Sequence, residues 1–196
     1  MPPSFYQTPL PPGRGQVSLS PRLARRSTIV AKDAPVKATS KKERTRVLGL
    51  VSDTHGYFDP LLPEKLHGVD RILHAGDIGD EAVLEQLRHI APVFAIRGNI
   101  DHTTRYPASC LVLWGGLRIR LIHALGDWNG EIREVPVEVV VCGHSHQPRV
   151  ENEDGVIIVN PGSAGKKRFQ LPRTCARLWR ENDEIRVEHI SLEGGP

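Results

Sequence analysis

Val47-Leu-Gly-Leu-Val-Ser-Asp-Thr-His-Gly56 decides the fold. Its apolar half, closed by Ser52, reads as a short buried strand. A strand interior has no use for a carboxylate and an imidazole. Asp53 and His55 therefore belong to the loop at the strand's carboxyl end, the edge where open α/β sheets bind ligands. Two residues apart in an extended segment, they project the same way. One oxygen and one nitrogen then converge on one point, the start of a transition-metal site. Alone, an Asp-x-His is more often a turn carboxylate and a surface histidine. The weight comes from its recurrence.

Downstream, residues 60–66 suit a short helix and 71–75 a second strand that ends at Gly76-Asp77. Residues 81–90 carry apolar side chains at 83, 84, 87 and 90, a helical period, with Asp80 as N-cap and Glu81 in the first turn. Residues 93–96 form a third strand, ending at Gly98-Asn99-Ile100-Asp101. Strand, loop and helix in alternation predict parallel strands joined by right-handed crossovers. After this the pattern changes. Residues 110–113 and 117–123 flank Gly115-Gly116 as a hairpin. Residues 126–135 give a short, weak helical pattern. A Val-rich strand over 137–142 ends at Gly143-His144-Ser145-His146, and 156–159 ends at Asn160-Pro161-Gly162-Ser163. A last hairpin joins 175–179 to 185–190 around Asn182-Asp183. Strands alone in the second half imply a second sheet. The expected class is α/β, a two-sheet mixed β-sandwich flanked by helices.

Five strand ends thus supply Asp53, His55, Asp77, Asn99, His123, His144 and His146. Each has a bland reading: Gly-Asp and Gly-Asn are turn formers, and His123 suits a half-buried strand end. His144 and His146 resist it, because imidazoles at alternate positions after a strand share a face. The imidazoles, carboxylates and amide carbonyl suit Mn, Fe, Zn or Ni rather than Ca or Mg.

In this order the residues resemble the calcineurin-like metallophosphoesterases, and within them the small bacterial and archaeal phosphodiesterase branch that includes the retromer scaffold subunit. The likeness runs from Arg46 to Ile190, and Asn160-Pro-Gly-Ser163 with Leu171-Pro172-Arg173 shares it. It implies a four-layer fold and a dinuclear centre: Asp53, His55, Asp77 and His146 on one metal, Asp77, Asn99, His123 and His144 on the other, with Asp77 bridging. Two divalent transition-metal ions, manganese first and nickel, zinc or iron as alternatives, would clamp a phosphate ester. A metal-activated hydroxide would be the nucleophile. The expected activity is a phosphoesterase acting on diesters, and the substrate a small phosphate ester. The alternative is a low-activity protein-interaction scaffold with a protein partner. His74 and Asp101 are candidates to orient the ligands. Two positions depart from the family. Ile100 stands where the wider family has a His proton donor, which leaves His102, with Asp101 beside it, as the catalytic candidates. His123 is followed by Ala124-Leu125 where the branch has Gly-His. Lys166-Lys167-Arg168-Phe169 is a cationic run that reads as a solvated loop more readily than as an anion site.

The chain's 196 residues suit one domain, with ordinary apolar (39%) and charged (25%) content for a globular protein. No apolar run is long enough to span a bilayer. Cys110, Cys142 and Cys175 are odd in number and far apart, which argues against a disulfide framework and for a reducing compartment. The net charge of +3 is uneven: residues 1–45 hold nine Lys/Arg and two acids, and the remainder has a net of −4. The globular part therefore gives no reason to expect nucleic-acid binding. Residues 1–32 have no acid, four Arg and many Ser, Thr and Pro. That composition marks an organelle transit peptide, and the prolines, which break a mitochondrial-type amphipathic helix, point to a plastid. Ile29-Val30-Ala31 suits the cleavage region. A disordered basic arm, mitochondrial import and a cytoplasmic protein are the alternatives. The expected organisation is a disordered extension over 1–45 and the metallophosphoesterase domain over 46–193.

Overall fold

The computed structural model describes residues 29–31, 44–129, 135–167 and 170–193. The opening stretch forms strand β2 (Val47–Val51), preceded in the chain by a three-residue strand β1 (Ile29–Ala31). β3 (Arg71–His74) and β4 (Val93–Ala95) lie parallel to β2 as expected, with Leu48 opposite Arg71 and Ile72 opposite Val93. The connections hold helices α1 (Leu62–Lys65) and α2 (Glu81–Arg88). Asp80 caps α2 by accepting from the Ala82 amide at 2.9 Å. α2 buries Val83, Leu84 and Leu87, the side the 3.6-residue period selects.

Beyond β4, the hairpin β5 (Ser109–Trp114) and β6 (Leu117–Ile122) turns at Gly115-Gly116. β7 (Val139–Val141) and β9 (Val156–Asn160) follow in parallel beside β6. β8 (Arg149–Glu153) pairs antiparallel with β9 on the far edge. β1 covers the opposite edge, parallel to β5 with Val30 opposite Leu111, so three residues of the expected extension lie in the second sheet. The final hairpin, β10 (Thr174–Glu181) and β11 (Glu184–Ser191), departs from the expectation that all late strands build the second sheet. β10 pairs antiparallel with β2 and returns the chain to the first sheet. The result is a six-stranded sheet, β1-β5-β6-β7-β9-β8, facing a five-stranded one, β11-β10-β2-β3-β4.

Leu48, Leu50, Leu73, Ala176 and Leu178 of the five-stranded sheet meet Val112, Ile119, Leu121, Val139, Val141 and Val159 of the other in the central core. Both α-helices pack on the outer face of the five-stranded sheet, against Val51, Ile72 and Cys175. Among the described residues, the outer face of the six-stranded sheet carries no α-helix. The weak helical pattern at 126–135 is a 3-10 turn at Leu125–Asp127, and Trp128 packs with Ile122, Val140 and Ile158; residues 130–134 lie outside the described ones. All three cysteines are buried and unpaired. No described helix is long and apolar enough to cross a membrane.

Candidate metal centre

β2, β3 and β4 are parallel, as are β6 and β7, so their carboxyl ends lie on two edges that the sandwich brings face to face. The loops after them carry all seven expected donors. The backbone there is unusual. Asp53, His55, Asp77, His144 and His146 all have positive φ, between 48° and 68°. That region is disfavoured for residues with a Cβ, at a cost of about 1–3 kcal/mol each. Surrounding hydrogen bonds hold the loops there: the Asp53 amide donates to Gly76 O, the His55 amide to Asp77 O and the Gly56 amide to Ile78 O.

The donors form two touching groups. In the first, the Nε2 atoms of His55 and His146 are 3.2 Å apart, and His146 Nε2 is 3.4 Å from Asp53 Oδ1. In the second, Asn99 Oδ1 is 2.9 Å from His123 Nε2 and 3.1 Å from His144 Nδ1. Asp77 touches both, with Oδ2 3.8 Å from His55 Nε2 and Oδ1 3.3 Å from His123 Nε2. Asp53, buried in full, also accepts from the Ser52 hydroxyl and from the His144 amide.

This donor set fits a cation. His123 Nδ1 lies 2.8 Å from the Ala75 carbonyl, so it carries the proton. Its Nε2 then holds a lone pair aimed at the oxygens of Asn99 and Asp77, and only a proton or a metal ion between them relieves that opposition. The same tension shows in the acidities. Burial pushes His123 down, but its contacts with Asp77 and the Ala75 carbonyl outweigh this and raise it above the ordinary histidine range. Burial pushes Asp77 up, yet the hydrogen bond that His123 donates when its ring is protonated, the Ile100 amide and nearby imidazoles hold it at about 2. Asp77 is an anion at any physiological pH.

The expected orienting residues act through the backbone. Asp101 accepts from the amides of Ile78, Gly79 and Gly98 at 3.0, 2.9 and 2.8 Å, and so ties the Asp77 loop to the Asn99 loop. His74 is buried, and burial lowers it to about 4, so it is neutral. Its Nδ1 accepts from the Gly76 amide, and its Nε2–H points at the Thr54 hydroxyl, which donates to Ile78 O. Gly98 is required by close approach: a Cβ there would collide with the Asp77 carboxylate.

His102 is not brought to the donors. It is exposed and lines a separate hollow with Asp80, Glu81 and Tyr106, and no hydrogen bond or ion pair joins it to the seven. Ile100 is 38% exposed and keeps its amide on Asp77 Oδ1. In the cationic run, Lys167 pairs with Glu193 and Lys166 lies over the Tyr57 ring; Arg168 and Phe169 lie outside the described residues.

Sequence reasoning missed two groups of residues. Asn160 Nδ2 donates to Gly143 O and Ser145 Oγ, and Ser163 Oγ donates to Asp53 O, so the Asn-Pro-Gly-Ser turn braces both metal-site loops. Arg97 and Asp127 line a hollow of about 270 Å3 beside Asn99, His123 and His144, on the open side of the centre. The first group was signalled by its resemblance to the branch; the second had no signal.

The family model for the calcineurin-like phosphoesterase superfamily domain matches residues 47–183. A probable metallophosphoesterase of Methanocaldococcus jannaschii is 32% identical over 163 residues, covering 76% of this chain and 83% of the relative. A second, YsnB of Bacillus subtilis, is 29% identical and covers 74% and 90%. Among solved structures, an archaeal phosphodiesterase aligns with a TM-score of 0.61 at 22% identity, over 74% of this chain and 99% of its own. Zinc-bound Vps29 of Entamoeba histolytica aligns at 0.60 and 17% identity, over 75% and 99%. These two show the likeness of fold. The matched family model spans every donor loop, and on that ground the chain belongs to the calcineurin-like phosphoesterase superfamily.

Proposed function

We propose that the chain hydrolyses phosphodiesters at a dinuclear divalent-metal centre, with Asp53, His55, Asp77 and His146 on one ion and Asp77, Asn99, His123 and His144 on the other. One observation carries this reading: the two oxygens of Asp77 belong to different donor groups, Oδ2 to that of His55 and Oδ1 to that of His123. A permanent anion in that place is what two like charges need between them. Bound ions would supply Lewis-acid charge to the phosphate and make a water acidic at neutral pH. The nitrogen, carboxylate and amide donors favour manganese, with nickel, zinc or iron next. Asn99 and His144 are exposed and leave the centre open toward Arg97 and Asp127. The Arg97 guanidinium, braced by the Tyr106 carbonyl at 3.1 Å, presents positive charge to an anionic ester. No protein acid stands at position 100, so the leaving group departs without a proton from that side. Esters with stable leaving groups, such as aryl diesters, are the expected substrates.

The test is metal content together with phosphodiesterase activity across Mn, Ni, Zn and Mg. The protein should hold about two ions per chain. Asp77→Ala should lose both and His146→Ala chiefly one, each with a fall in kcat/KM of about 10²–10³-fold. Metal content near zero in supplemented protein would sink the dinuclear reading. A second reading, an interaction scaffold, is favoured by Ile100, an exposed apolar side chain next to Asn99 in the chain. Two ions per chain with no turnover in any metal would select it. For the Arg-, Ser- and Pro-rich extension we propose plastid targeting. A reporter fused to residues 1–45 should enter the organelle, and cytosolic retention would refute it.

A further inference from the structure

The strand edges of the two sheets differ in how far they are open. In the six-stranded sheet β1 covers β5, and β8 starts directly after Pro148, which has no N–H to offer. In the five-stranded sheet the edge strand β4 has three residues and the edge strand β11 has eight. β11 pairs with β10 residue for residue, without a bulge, and no described strand pairs with its other side. It contains neither proline nor lysine, the common devices that keep one sheet edge from meeting another.

The turn fixes where its backbone groups point. Asn182 and Asp183, at φ 48° and 66°, close a two-residue hairpin, so Glu181 and Glu184 are a hydrogen-bonded pair. The even-numbered residues of β11 therefore bond to β10. The N–H and C=O groups of Ile185, Val187 and His189 face the open side, and no backbone partner meets them among the described residues. The side chains alternate between the faces. Ile185 and Val187 are half-buried against the core between the sheets. Glu184, Arg186 and Glu188 are exposed, on the outer face that Ile190 shares. Arg186 binds Glu184 beside it. Glu188 has no ion pair among the described residues, and Arg177, opposite it on β10, is bound to the carbonyls of Lys65 and His67.

Arg186-Val187-Glu188 is self-complementary when two copies run antiparallel. We propose that β11 pairs with β11 of a second copy of this chain, antiparallel about a twofold axis at Val187, and joins the two five-stranded sheets into one. The axis sets Arg186 of each copy opposite Glu188 of the other, at non-hydrogen-bonded positions, where side chains come closest. It sets Val187 opposite itself and Ile185 opposite His189 on the inner face. The outward N–H groups of Ile185, Val187 and His189 in each copy then meet the outward C=O groups of the other. Charge selects this register: an axis at Arg186 or at Glu188 would set that residue against its own counterpart, like charge on like. A single strand pair is a small interface, so the dimer forms with micromolar affinity and exchanges with monomer. None of the metal donors takes part, and the pairing is independent of turnover.

The test is sedimentation of the full chain across the micromolar range, with amide hydrogen exchange along β11. The chain should pass from monomer to dimer as concentration rises. The amides of Ile185, Val187 and His189 should gain protection over the same range, while those of Arg186 and Glu188, already bonded to β10, stay as they are. Arg186→Glu and Glu188→Arg, both at exposed positions, should each weaken self-association about tenfold, because each sets like charges opposite one another on both sides of the axis. Mixed together, the two variants should form a heterodimer at least as tight as the native dimer, since one copy then presents only carboxylates where the other presents only guanidinium groups. Val187→Pro removes an outward N–H that β10 does not use, so it should fold and stay monomeric. A monomer at every concentration, a dimer that both charge reversals leave unchanged, or failure of the mixed variants to pair would overturn the proposal.

Discussion

The two edges of the sandwich use the same rare backbone for opposite ends. At the amino edge of β2 and β6, positive φ occurs at Gly115, Gly116, Asn182 and Asp183. These are the residue types that tight hairpins demand, and the conformation serves the connection. At the carboxyl edge it occurs at Asp53, His55, Asp77, His144 and His146, where no hairpin is made. There the conformation serves the side chain: it turns carboxylates and imidazoles inward from loops that would otherwise continue the strand. Turn geometry at one edge is relaxed and local. At the other it is strained and held by contacts distant in sequence, such as Ser163 on Asp53 and Asp101 on three amides.

The contrast can be broken in several places. The largest effect is expected from His74, which is buried as the neutral form at the carboxyl edge. Its folded pKa of about 4 lies below the ordinary 6.5, so the unfolded chain binds the extra proton first as pH falls. Its contribution is present above pH 6.5 and is lost as pH falls toward 4, about 3 kcal/mol in all. Denaturant unfolding of metal-free protein should show that slope, and His74→Gln should flatten it. An unchanged slope in the variant would mean that other groups drive acid unfolding.

Next comes Gly98→Ala, in which the new methyl meets the Asp77 carboxylate. Metal affinity should fall about 10²-fold while circular dichroism stays native. Unaltered affinity would show that the Asp77 loop relaxes freely, against the picture of a strained edge. Smaller is the effect of Ile100→His, which should raise kcat/KM on alkyl relative to aryl diesters about tenfold. His102→Ala should leave that ratio where it was, because His102 is exposed and lines a hollow separate from that of Asn99, His123 and His144. A selective loss on alkyl esters in His102→Ala would restore it as the proton donor. The smallest is Gly116→Ala at the relaxed edge, where φ is 78°. Stability should drop by about 1 kcal/mol, with metal content and activity untouched. A loss of metal there would mean that the two edges are coupled.

Most of the fold, and the loops that bring the seven candidate residues together, are legible in the sequence, because a buried parallel strand is an apolar run and its loop begins at a sudden polar residue. β8 was not legible. Arg149-Val-Glu-Asn-Glu153 is exposed throughout, an edge strand with no buried face to impose alternation. The final hairpin is legible as a hairpin, but its alternation reports only that one face is buried, and nothing local says which sheet receives it. Ile100 and His102 lie two apart in sequence and line one hollow, yet only Ile100 is tied to a metal-site residue, by its amide on Asp77; reach is a property of loop conformation, and that conformation is fixed by Asp101 binding amides on a different strand's loop. The left-handed backbone of the donors is hidden for a similar reason, since it is imposed by tertiary contacts against local preference.

The strand at the edge of the six-stranded sheet gives the proposed targeting of the extension a structural consequence. β1 is made of Ile29-Val30-Ala31, the segment whose sequence suits a cleavage site, and it covers the backbone edge of β5. A cut before Ile29 keeps that cover. A cut after Ala31 removes it and leaves β5, with half-buried Leu111 and Leu113, as an open strand edge of the kind that recruits other chains. Under the targeting reading proposed above, the position of the cut, within three residues, would set whether the remaining chain is capped or adhesive.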